Sequence, residues 1–85
     1  MSEVIAIWDL DDDEAGNVMH IAEHGVEKWE VEEVLNNPIG QDWSESSGRP
    51  LVFGYTSEGR LLVVVFEEIN EDEVYPITAY EPENS

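Results

Sequence analysis

The chain has no cysteine and only three basic side chains, Lys28, Arg49 and Arg60. Without cysteine there is no disulfide and no thiolate zinc site, and the cytoplasm is the simplest compartment to expect. Three Lys and Arg stand against 21 Asp and Glu, a formal net charge of -18. A field of that sign repels phosphate backbones and anionic membranes. Unassisted DNA or RNA binding is therefore disfavoured, while a basic protein partner or divalent cations are favoured. Long apolar runs are missing as well. The longest, Leu61 to Phe66, is far short of the ~20 residues of a membrane-spanning helix. The start, Met1-Ser2-Glu3-Val4, lacks the basic and apolar stretches of a signal peptide, which agrees with the cytoplasmic expectation. No internal repeat and no linker rich in Pro, Gly or Ser divides the 85 residues, which predict a single domain over 1–85.

What is present suffices for a core. Hydrophobic residues make up 41% of the chain, with three Trp, three Tyr and two Phe. That sets it apart from disordered sequences of similar charge. Val4 to Trp8 is a short β-rich run. The acidic stretch Asp9 to Glu14 follows, with Asp11 and Glu14 at the spacing of a capping box. The pattern predicts a helix over 14–24, with Val18, Ile21 and Ala22 as its apolar stripe and Gly25 as the left-handed residue that ends it. A second helix is predicted over 27–36, burying Val31, Val34 and Leu35 and turning Glu30, Glu32 and Glu33 to water. Asn36-Asn37-Pro38 stops it.

Residues 39–49 read as a loop in which Trp43 is expected to pack. The remainder reads as a β-meander with strands at 51–55, 60–67 and 74–80, turned at Ser57-Glu58-Gly59 and Asn70-Glu71-Asp72. Leu61 to Phe66 shows no alternation, so the middle strand is expected to be central with both faces covered. Two helices can cover one face. The other is expected to lie under Trp43, Tyr80 and the 39–49 loop, or under a partner chain. The predicted class is α+β, with a short N-terminal strand and two helices on one face of an antiparallel meander.

The motifs that could carry chemistry are few. Asp9, Asp11 and Asp13 alternate like the first ligands of a calcium loop, but Glu14 holds the glycine position and His20 the terminal glutamate position. A solvated helix cap is the better reading. His20 and His24 share one helix face at i, i+4, but Ile21 follows His20, so the zinc-protease motif is not formed. No metal and no cofactor is expected. Arg49 and Arg60 bracket the meander strands. They either pair with surface carboxylates or hold an anion. No catalytic triad order, phosphate loop or dinucleotide fingerprint is present.

Several segments, in order, resemble one family. They are Trp8-Asp9, Asn17, His24-Gly25-Val26, then Glu30, Val34 and Pro38 at matching spacing. Arg49, Gly54, the run Gly59-Arg60-Leu61-Leu62-Val63-Val64-Val65 and Ile77-Thr78-Ala79-Tyr80 follow. Together they are similar to the BrnT-like toxins of bacterial type II toxin–antitoxin systems, within the RelE-like ribonucleases. The resemblance implies helices on one face of an antiparallel sheet, metal-independent RNA cleavage by the exposed face, and neutralisation by an antitoxin. The chain departs from the family where charge matters. Tyr80 stands where the family has Arg, Glu23 where it has Lys, and Val74-Tyr75-Pro76 where it has a basic residue. Glu81-Pro82-Glu83-Asn84-Ser85 replaces a basic helix.

Two functions follow as expectations, with a cation-dependent scaffold as a weaker third. One is a toxin-component-like domain acting by contact with a basic, antitoxin-like protein, its ribonuclease activity lost or weakened. The other is an active endoribonuclease, binding RNA through Arg49, Arg60, His24 and Tyr80 as catalytic residues. The second requires Arg49 and Arg60 to converge on one face of the sheet beside His24 or Tyr80.

Overall fold

A computed structural model describes residues 3–82; the acidic end Glu83-Asn84-Ser85 lies outside the described residues. The elements are β1 (Ile5–Ala6), α1 (Asn17–Glu23), α2 (Lys28–Asn36), β2 (Gly40–Trp43), β3 (Pro50–Tyr55), β4 (Leu61–Glu68) and β5 (Glu73–Tyr80). The strands form one sheet in the order β1-β5-β4-β3-β2. Strands β2 to β5 are antiparallel neighbours, and β1 adds a short parallel edge to β5. The fold is α+β, and β4 is the central strand, as its unbroken apolar run predicts.

Both helices lie on the same face. Val52 of β3, Leu62 and Val64 of β4, and Val74 and Ala79 of β5 form one buried cluster with Ile21 of α1 and Val31, Val34 and Leu35 of α2. Pro76 is also fully buried. Val65 pairs with Thr78 and Phe66 with Pro76, so Ile77 is an extra residue in β5. This bulge changes the alternation, and both Pro76 and Ala79 can turn inward. It is also a place where a strand tolerates proline, which has no N–H to give the ladder.

The structure departs from the sequence expectations at four points. The first helix starts at Asn17, not near 14. Residues 10–16 are turns in which Asp13 accepts from the Ala15 N–H, and the Asp11–Glu14 capping box is not formed. The cap comes from a distance instead, where an Asp9 carboxylate oxygen accepts the Asn17 N–H at 2.9 Å. At the other end Gly25 does adopt φ 72°. The Val26 N–H reaches the Ile21 carbonyl and the Gly25 N–H that of Ala22, closing a Schellman motif.

Second, α2 carries a reciprocal capping box between Glu27 and Glu30, and Glu30 is buried instead of pointing to water. Third, part of the 39–49 stretch is a strand. Gly40 to Trp43 pairs with Phe53 to Pro50. Gly40 is required there because the Phe53 ring lies across it; a Cβ would sit 2.3 Å from the ring. Fourth, Trp43 is 65% exposed and lines an open cavity with Pro50 and Phe66 instead of packing over the face opposite the helices.

Asn17 ties the N-terminal segment to the sheet. Its side-chain amide donates to the carbonyls of Ile7 and Pro76, and its oxygen accepts the Asp9 N–H. The Tyr75 hydroxyl donates to the same Asp9 oxygen that caps the helix. The Tyr75 bond and the Asn17 N–H hold the Asp9 carboxyl below its ordinary range. The Tyr75 phenol is pushed up to about 12, first by its bond to Asp9 and then by burial. The two shifts act at opposite ends of the pH scale. Asp9 stabilises the fold above its ordinary pKa, and that contribution is lost as pH falls through the lowered value. Tyr75 stabilises it below 10.0, and that contribution is lost as pH rises through about 12. Ultraviolet titration is expected to show a phenol ionising near 12 that disappears in Tyr75→Phe. An unchanged titration in that variant would contradict the assignment.

Candidate functional site

Three of the four candidate side chains meet at one corner of the molecule. His24 ends α1, Tyr80 ends β5, and Arg60 precedes β4. The parallel strand β1 pairs only with Glu73 and Val74. Tyr80 stands opposite Val63, on the face without helices, but β5 is itself the sheet edge at that end, so the Tyr80 ring reaches round toward the helix layer. The His24 and Tyr80 ring centroids are 6.5 Å apart, with the planes tilted by 55°. His20, one turn earlier, stands edge-on to His24 at 5.3 Å.

Arg60 holds the corner together. Its Nη1 donates to the Gly25 carbonyl at 2.8 Å and to both oxygens of Glu30 at 3.0 and 3.1 Å, while Nε donates to Glu81 at 2.8 Å. Burial disfavours the charged guanidinium, but the bonds it donates to Glu81 and Glu30 outweigh this and hold the pKa above its ordinary value. One guanidinium faces two carboxylates, so the corner remains negative. An arriving phosphate would have to displace Glu30, which is only 3% exposed.

Arg49 does not join them. Its Nε donates to Glu67 at 2.9 Å. The register that places Leu51 opposite Val65 and Tyr55 opposite Leu61 puts Arg49 and Arg60 at opposite ends of the β3–β4 hairpin, about 20 Å apart along the strand. They also lie on opposite faces. Arg60 reaches into the helix layer, while Glu67, the partner of Arg49, alternates with Val65 and Val63 on the face without helices. The expected convergence of the two arginines is therefore corrected. Lys28 is paired as well, with Asp11 at 2.9 Å.

The corner can transfer protons in principle, since it offers two imidazoles and a phenol. It lacks an unoccupied cation to stabilise charge on a phosphorane, the usual requirement for metal-independent phosphoryl transfer. Among the described residues no group of three or more His, Cys, Asp or Glu side chains is placed to hold a metal ion. No described helix is long and apolar enough to cross a membrane.

Glu30 and Glu81 complete the corner, and the sequence reading assigned neither to it. The available signal was scarcity. With three cations in the chain, a buried carboxylate has few possible partners. The chain matches no protein-family model, no curated protein and no solved structure.

Proposed function

We propose that this chain is a toxin-component-like domain that works by contact with a basic, antitoxin-like protein, and that any ribonuclease activity is lost or weakened. The observation that carries this reading is the state of Arg60. The one arginine that stands beside His24 and Tyr80 already has its charge taken up by Glu30 and Glu81. The net charge of -18 supports it from the other side, since it opposes RNA and attracts a cationic protein. The BrnT-like segments supply the toxin relation, and the replacement of Arg by Tyr80 removes the fixed positive charge that such chemistry uses.

Purified chain mixed with labelled RNA tests the reading. At about 0.15 M salt no change in anisotropy is expected at micromolar protein, because phosphate contacts supply most non-specific affinity. No cleavage products are expected either. RNA cleavage that is lost in both His24→Ala and Tyr80→Phe would establish the enzyme instead.

A further inference from the structure

The helices cover only one side of the sheet. On the other side alternation places Leu51, Phe53 and Tyr55 of β3 beside Leu61, Val63 and Val65 of β4. Neither helix lies over them, and the 39–49 stretch that was expected to do so extends the sheet sideways as β2. Tyr55 is 54% exposed, Leu51, Phe53, Leu61 and Val63 are half-buried, and Val65 at the Glu67 end of the strip is buried. A contiguous apolar surface on a strongly charged small domain marks a contact site.

Charge decides the occupant. Asp42 stands opposite Leu51 on this face, Glu67 continues the row of β4, and Glu58 sits in the hairpin turn. Arg49, the cation at this end, is already bonded to Glu67. A second copy would bring the same carboxylates against themselves, with -18 on each chain. RNA would meet no unpaired Lys or Arg among the described residues. A cationic, half-apolar protein segment satisfies both the apolar centre and the acidic rim.

We propose that the helix-free face centred on Leu51, Phe53, Tyr55, Leu61 and Val63 is the docking surface for a basic amphipathic segment of a partner protein. This rests on the protein-contact reading above and assigns its surface. The segment seats its apolar side chains along the β3–β4 strip and directs its cations to Asp42, Glu58 and the outer edge of Glu67.

The test uses the full chain labelled with ¹⁵N and three probe peptides of equal length. One alternates lysine with leucine, one alternates glutamate with leucine, and one is oligolysine. The lysine–leucine peptide is expected to bind with amide shifts concentrated in β3 and β4. Oligolysine is expected to bind about tenfold more weakly, and the glutamate peptide not at all. Leu61→Thr combined with Val63→Thr keeps residues compatible with a strand and is expected to weaken the lysine–leucine peptide about tenfold. Asp42→Lys, at an exposed position, should weaken it without touching the core. Equal binding of oligolysine with the same shifts would reduce the surface to general charge attraction and overturn the proposal. Shifts centred on α2 or on His20 and His24 of α1 would overturn it while leaving the protein-contact reading standing. Dimerisation through β3 and β4 would overturn it in favour of a second copy. RNA cleavage, measured separately, bears on the protein-contact reading alone.

Discussion

Replacing Arg60 by methionine is expected to lower stability by about 3 kcal/mol, because it leaves Glu30 buried without its cation. The Glu30 side chain is 4% exposed and that of Arg60 is 23% exposed. The pair is therefore screened far less than the surface pairs Lys28–Asp11 and Arg49–Glu67. For a domain of this size such a loss corresponds to roughly 12–24 °C in melting temperature. Methionine keeps most of the aliphatic volume, so the effect reads charge and hydrogen bonding more than packing. Arg60→Lys should fall between, since one ammonium cannot serve Gly25, both Glu30 oxygens and Glu81 together. Glu81→Gln should change stability by less than about 1 kcal/mol, because Glu81 is exposed. The decisive comparison is the double variant with Glu30→Gln. Glutamine retains an oxygen for the Glu27 N–H, the bond that Glu30 makes in the capping box, and carries no charge to strand. The double variant should therefore be more stable than Arg60→Met alone. Thermal and urea melts of wild type, Arg60→Met, Glu30→Gln and the double variant measure this. Strictly additive losses would show that the pair is not coupled.

The same arginine shows what the sequence made legible and where it stopped. Helix α2 was readable because Val31, Val34 and Leu35 keep helical spacing and Asn36-Asn37-Pro38 ends them. The centre of the sheet was readable because Leu61 to Phe66 is apolar on both sides. Strand β2 was not, because an edge strand needs little alternation, and Gly40 answers to a Phe53 ring 13 residues away. The start of α1 was hidden for a related reason. Its cap is Asp9, eight residues from Asn17, and not a neighbour inside the acidic run. The relation of Arg49 to Arg60 depends on hairpin register. Arg60 stands opposite Thr56, and Thr56 is an odd number of residues from Arg49. Residues opposite each other share a face, so the two arginines do not. A turn one residue longer or shorter would have reversed that answer, and nothing in the composition of Ser57-Glu58-Gly59 fixes it in advance. His24 and Tyr80 did meet, because both end elements that run to the same corner.

Asn17→Ala is expected to cost about 3 kcal/mol through a different mechanism, the loss of partners for backbone groups. Asn17 is 3% exposed, and its side chain serves three main-chain groups, the carbonyls of Ile7 and Pro76 and the N–H of Asp9. Alanine leaves these groups without their side-chain partner, and each buried group left unpaired costs about 1–3 kcal/mol. The change also loosens the N-terminal segment that places the Asp9 carboxylate at the start of α1. Asn17→Asp separates hydrogen bonding from shape. The aspartate has almost the same volume and still accepts from Asp9, but it turns the donor toward Ile7 and Pro76 into an acceptor. It also adds a buried negative charge beside Asp9. Its loss at neutral pH should therefore exceed that of alanine. Burial and the two facing carbonyls would raise the pKa of the new carboxyl, because only its protonated form can donate. The deficit against wild type should then shrink as pH falls from about 7 to about 5, while the alanine deficit stays constant over that range. Urea melts at the two pH values provide the check. An aspartate variant whose deficit ignores pH would mean that water, not Asn17, satisfies the two carbonyls.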